Sequence, residues 1–220
     1  MKRQQSGFTL VEIAIVLVII GLLLGGILKG QELINSAKVK NLANDFRVIP
    51  TYIYAYQDRF KALPGDDVAA AAHLPGPPTA TNATTGGTPG NGVIEGKWNS
   101  TTATDESYLF WQHVRMANLA AGPTDTTDAT YIPVNAVGGK LGISSATPAL
   151  IEISGMTGTY QVCSSGIQGR FAKQLDVQVD DGNTAAGSLR VVADGAGLGS
   201  PAVATASVDD GTAYTVCMTF

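Results

Sequence analysis

The stretch Gly7–Leu28, GFTLVEIAIVLVIIGLLLGGIL, restricts this chain more than any other. Between Phe8 and Leu28 it holds one ionisable side chain, Glu12. As an α-helix, at 1.5 Å rise per residue, it would reach about 30 Å, the thickness of a bilayer's hydrocarbon core. It is therefore a membrane-span candidate. A carboxylate inside such a segment is expensive, which makes Glu12 a functional candidate by default. A cleaved secretory signal is a poor match. Its apolar region would be shorter, about 7–15 residues, and a small-residue cleavage site would follow. Here the run ends in Leu28-Lys29-Gly30-Gln31. Lys2 and Arg3 precede the span, so the positive-inside rule places the N-terminus in the cytoplasm and the bulk of the chain across the membrane. Gly21–Gly25 and Gly26–Gly30 are small-xxx-small pairs that allow close helix approach.

Past the span the helical period continues. Leu42, Phe46, Ile49, Ile53, Tyr56 and Phe60 follow 4-3-4-3-4 spacing and fall on one face. Pro50 removes one hydrogen-bond donor but leaves the stripe in phase, so a kink is expected there and not a stop. Leu63-Pro64-Gly65-Asp66-Asp67 supplies the stop. Residues 74–104, rich in Pro, Gly, Thr, Ala and Asn, read as a long surface loop with a short strand at Gly92–Glu95. The sequons at Asn82 and Asn99 read as unmodified loop. Asp105–Leu119 reads as a second helix, within which His113 has a structural role. Beyond Gly122 short strands are expected at Thr130–Val134, Leu150–Ile153, Thr159–Cys163, Ser188–Val192 and Tyr214–Thr219, while Phe171–Val179 fits helix or strand. The fold class is α+β, with one long N-terminal helix packed on an antiparallel sheet of four or five strands.

Little in the sequence suggests catalysis. There are two histidines, His73 and His113, and two cysteines far from CxxC spacing. Nucleophile-elbow, phosphate-loop and zinc-protease motifs are missing. A net charge of −4 argues against nucleic-acid binding through bulk charge. No cofactor is expected. The one metal worth weighing is calcium, on Asp66 and Asp67 with Asn91 and Glu95, or on Asp180, Asp181 and Asn183 with Asp209 and Asp210. Neither set has EF-hand spacing, and solvated turns are the simpler reading.

Lys2-Arg3, then Gly7, Phe8-Thr9-Leu10-Val11-Glu12 and the unbroken apolar run resemble the signal of type IV prepilins and of the pseudopilins of type II secretion. The resemblance is close over residues 1–62 and looser beyond, where the Leu63–Asp67, Trp111-Gln112-His113 and Asp180–Asn183 blocks look like one pilin-like subgroup. It implies a leader at 1–7, a membrane and filament-core helix at 8–28, an amphipathic extension at 29–62 and a head at 63–220. It also implies cleavage after Gly7 by a prepilin peptidase and N-methylation of Phe8. Glu12 would then pair with the Phe8 amine of a neighbouring subunit, replacing two separately buried charges by one pair. The assembly platform, its ATPase and other pilins are the implied partners. The bacterial inner membrane, then the periplasm or cell surface, is the implied location. Many pilins carry Pro where this chain has Lys29, which leans toward a pseudopilin or minor pilin. A type IV pilus subunit is the favoured expectation, a secretion pseudopilin the alternative. A membrane-tethered periplasmic binding module is the rival from another class.

Cys163 and Cys217 lie beyond the span, where an oxidising compartment favours a disulfide. Both sit in similar runs, Tyr160-Gln161-Val162-Cys163 and Tyr214-Thr215-Val216-Cys217. A bridge would pin the last strand to the sheet, a strand expected to peel first under load.

Overall fold

The computed structural model describes residues 9–220. Leader residues 1–7 and the Gly7–Phe8 junction lie outside the described residues. The chain divides into two compact units, one running to Lys38 and the other comprising Val39–Phe220. Helix α1, Leu10–Phe60, enters both.

In the first unit α1 is long and apolar enough to cross a membrane, by length and composition. Its aliphatic side chains are largely exposed among the described residues: Leu10 is 91 % and Leu22 73 % exposed. Helix continues through Gly21, Gly25, Gly26, Lys29 and Gly30. Lys29 donates to Glu32 at 2.6 Å, an exposed i, i+3 pair worth a few tenths of a kcal/mol.

From Val39 on, α1 supplies the backbone of the head's core. Val39, Leu42, Ala43, Phe46, Ile49, Ile53 and Tyr56 are buried, as the 4-3-4-3 stripe requires. Helix runs unbroken through Pro50 and gives way at Lys61, which takes a left-handed φ of 56°. A one-turn helix α2, Ala70–His73, follows. Helix α3, Glu106–Met116, packs with Phe110, Trp111 and Val114 in the same core as α1.

The sheet comprises β1 Leu141–Ser145, β2 Tyr160–Gln168, β3 Leu189–Ala193 and β4 Ala213–Thr219, all antiparallel, in the order β1-β2-β4-β3. Ile143, Val162, Val191 and Val216 meet the α1 stripe in one core. Helix α4, Gly169–Val179, joins β2 to β3 and buries Phe171, Ala172, Leu175 and Asp176. The spacing of those residues, in adjacent pairs four apart, is what selects helix for this stretch.

Several local expectations fail for identifiable reasons. Thr130–Val134 is not a strand, because Asp128 takes the N–H and hydroxyl of Thr130 at 2.7 and 2.6 Å and its carbonyl takes the Tyr131 N–H, closing a turn. Leu150–Ile153 is not a strand either: the N–H groups of Leu150 and Ile151 turn back to the Thr147 carbonyl at 2.9 and 2.8 Å. At Gly92–Glu95 the first N–H bonds the Asp66 side chain and the Ile94 N–H bonds Ser145 Oγ, so no ladder forms. Strand β1, with sequence LGISS, is the element the sequence concealed. It is buried at every position, so the apolar–polar alternation that marks a half-exposed strand is missing. The last strand, β4, lies between β2 and β3 and not at an edge, which removes the expectation that it peels first.

Candidate functional site

At the N-terminal end of α1 the first helical turn leaves N–H groups without intrahelical acceptors. Thr9 and Glu12 answer this reciprocally. The Glu12 N–H donates to Thr9 Oγ1 at 3.3 Å, while Glu12 Oε2 accepts the Thr9 N–H and the Thr9 hydroxyl, each at 2.8 Å. This is a capping box, legible as Thr-x-x-Glu, and it adds Thr9 to the residues that matter here. In lipid such satisfaction counts for more, because no water can replace it. Glu12 thus has a role inside its own chain, and Oε1 is not used in these three bonds. Phe8, whose amine the sequence pairs with Glu12, lies outside the described residues, as does Gly7.

In the head, the turn Leu63–Asp67 is densely bonded. Gly65 has φ +95°, and a Cβ there would stand 2.4 Å from the Glu106 carbonyl oxygen, so only glycine fits. Its N–H donates to His113 Nδ1 at 2.9 Å, and His113 Nε2 donates to the Thr81 carbonyl at 2.8 Å. Burial pushes the His113 pKa down, consistent with a neutral ring that ties the turn and the 74–104 loop to α3. Asp66 accepts backbone N–H groups from Gly90, Asn91 and Gly92. Asp67 accepts the Tyr56 hydroxyl at 2.7 Å and the Ala69 N–H at 2.9 Å, and pairs with His73 Nδ1 at 2.7 Å. Burial raises the Asp67 pKa, but hydrogen bonds from His73, Tyr56 and Ala69 outweigh it and hold the carboxyl below its usual range. Asp66 and Asp67 are thus engaged by protein donors that fasten loop to helix.

Next to this turn Glu106 is fully buried at the start of α3. Its Oε2 accepts the Glu95 N–H at 2.8 Å, and Oε1 has no donor among the described residues. Burial, with added push from the Asp66 and Glu95 charges, raises its pKa to about 7. Once protonated it can donate to Asp66.

Cys163 and Cys217 are register partners on β2 and β4 and form a disulfide, with S–S 2.07 Å and Cα–Cα 4.1 Å. The bridge joins the two inner strands of the sheet. Of the second acidic set, Asp180 and Asp181 come together with Asp176, which the sequence reading did not include. Asp176 was findable as the residue four before Asp180 on a helical reading of 171–179. Asn183 donates its N–H to Asp181. Asp209 is spent on Gly211 and Thr212 in its own turn, and Asp210 pairs with Lys173 at 2.6 Å.

Comparison with known proteins agrees with the N-terminal reading. Residues 2–28 match the prokaryotic N-terminal methylation motif. No curated protein and no solved structure matches the chain. The motif goes with processing by a prepilin peptidase and assembly with other pilins, and together with the exposed apolar helix it fits a membrane-anchored precursor. Through residues 2–28, the chain carries the prepilin-type signal of the type IV pilins and pseudopilins.

Proposed function

We propose that this protein is a structural subunit of a type IV pilus-like filament. It is cut after Gly7 by a prepilin peptidase, methylated on Phe8, held in the bacterial inner membrane and then stacked by its apolar helix into a filament core. The assembly platform and its ATPase are its partners in that step. The observation that supports this reading is one acid, Glu12, at the start of an otherwise apolar and exposed stretch of α1 that lies within the matched methylation motif. An anchor alone needs neither the acid nor the junction. In a filament, Glu12 meets a neighbour's Phe8 amine as a charge pair, which offsets part of the cost of burying each. A secretion pseudopilin is the second reading. Unbroken helix across Lys29, where many pilins carry Pro, favours it.

Two substitutions separate the local and the intersubunit roles of Glu12. Glu12→Ala removes both the cap and the charge. Glu12→Gln keeps an acceptor oxygen for Thr9 and removes only the charge. Both variants should insert and be processed. Breaking a buried pair costs about 3–5 kcal/mol, so filament yield should fall by more than about tenfold in both. Sheared-filament yield at equal membrane abundance is the measurement. Normal yield from Glu12→Gln would defeat the charge-pair role, and uncleaved product would defeat the assignment of the processing junction.

A further inference from the structure

We propose that Asp176, Asp180 and Asp181, at the C-terminal end of α4, form a calcium site in the head. One carboxylate oxygen from each lies within 4.8 Å of the others. Two oxygens on one calcium, each at 2.3–2.6 Å, stand no more than about 5 Å apart, so the three can share an ion. The residue that points to a ligand is Asp176. It is fully buried, and neither of its oxygens has a hydrogen-bond partner among the described residues. Buried carboxylates left without donors are rare because desolvation then goes uncompensated. Burial, and after it the charges of Asp181 and Asp180, lift the Asp176 pKa to about 6.

The surroundings fit a cation and not a proton alone. The C-terminal end of a helix carries negative partial charge and favours cations; the last turn of α4 has no basic side chain of its own, and Arg47 of α1 reaches the Gln178 carbonyl there at 3.0 Å. Two of the acids are already aimed. Asp180 Oδ2 accepts the Leu189 N–H at 2.9 Å, and Asp181 Oδ1 accepts the Asn183 N–H at 2.8 Å. Gly187 makes the first possible, since a Cβ there would fall 2.0 Å from Asp180 Oδ2. Each of these two carboxylates retains a further oxygen. Asp180 is partly exposed and Asp181 exposed, which provides an entry path and room for water ligands.

The donor set selects the ion. Three carboxylates with no histidine or thiolate among them suit a hard cation and not zinc or copper. Magnesium demands near-ideal octahedral geometry and gives up its water reluctantly, whereas calcium accepts an irregular set completed by waters. An exposed site of this kind belongs with the weak extracellular modules, with Kd on the order of 0.1–1 mM. Calcium would fasten the end of α4 to the segment that leads into β3.

The test uses the full chain in detergent, stripped with EDTA and titrated with CaCl2 by calorimetry, with thermal unfolding in parallel and MgCl2 as control. We expect one saturable site with a midpoint of about 0.1–1 mM and a Tm that rises with calcium. Asp176→Asn and Asp181→Asn should each weaken binding by about tenfold or more, and Asp176→Asn should unfold no earlier than the wild type in EDTA. Because Asp181 is exposed, its variant carries the test if Asp176→Asn fails to fold. No saturable binding up to about 10 mM, wild-type affinity in the variants, or equal binding of magnesium would overturn the proposal.

Discussion

The helical glycines of the first unit and the tightly packed glycines of the head lie in opposite circumstances. At Gly21, Gly25, Gly26 and Gly30 an added methyl group would meet nothing within 4 Å. In the head, a Cβ on Gly65 would stand 2.4 Å from the Glu106 carbonyl oxygen, and one on Gly142 would stand 1.9 Å from the Trp98 carbonyl oxygen. Gly65 and Gly142 are therefore demanded by packing within the head, whereas Gly76, Gly138 and Gly195 there have open space and are favoured instead by their positive φ. Those of the first unit meet no such demand among the described residues, although each costs about 1 kcal/mol of helix propensity relative to Ala. The exposed leucines of α1 fit the same division. One unit covers its apolar side chains internally, and the other leaves them exposed, as the proposed lipid and filament contacts require. Residues in the head should accordingly govern stability, and residues before Lys38 should govern assembly with little effect on the head's unfolding.

The disulfide gives the largest expected effect. Replacing Cys163 and Cys217 together by Ser opens a link of sequence separation 54. The loop-entropy relation puts the loss near 4 kcal/mol, a large share of a domain's stability of about 5–15 kcal/mol. Denaturant unfolding of the purified chain measures it. A loss confined to a few tenths of a kcal/mol would show that the inner strands hold without the bridge. The Glu12 variants, on the same instrument, should leave the head's transition where it is.

Glu106 gives a smaller effect with a definite sign. Its folded pKa of about 7 lies above the ordinary carboxyl value of 4.5. The folded state therefore binds the proton more tightly than the unfolded chain. Its contribution is complete below the unfolded value and is lost as pH rises through about 7, by roughly 2–4 kcal/mol in all. Glu106→Gln keeps the Glu95 acceptor and offers Asp66 a permanent donor. Its stability should fall less than that of the wild type between pH 4.5 and pH 8, with the variant more stable at the upper end. Parallel pH curves would contradict the raised pKa. Asp67, held below its usual range, acts with the opposite sign and weakens the head as pH falls.

The N-terminal signal was the most legible part of the sequence because its chemistry is local: a basic leader, Gly7, Phe8, Glu12 and an unbroken apolar run. The buried stripe from Leu42 to Tyr56 was equally plain, since α-helical period survives Pro50. What escaped depended on distant partners. Strand β1 hides in LGISS because both of its faces are covered. The apolar residues of Thr130–Val134 and Leu150–Ile153 looked like strands, but side-chain and backbone turns claim their N–H groups. Asp66 and Asp67, weighed as calcium ligands against solvated turns, accept N–H groups that no local pattern announces: Asp66 from Asn91 and Gly92 of the surface loop, Asp67 from Ala69. Asp176 escaped because 171–179 fitted helix or strand equally; a helical reading places it one turn before Asp180, and the packing of α4 adds its burial.

The identity of the mature N-terminus tests the central claim most directly. Intact mass and N-terminal fragmentation of the chain from membrane fractions should show a protein that begins at N-methylated Phe8. A chain that still begins at Met1, in cells with an active prepilin peptidase, would contradict the filament-subunit reading and leave α1 as a simple anchor.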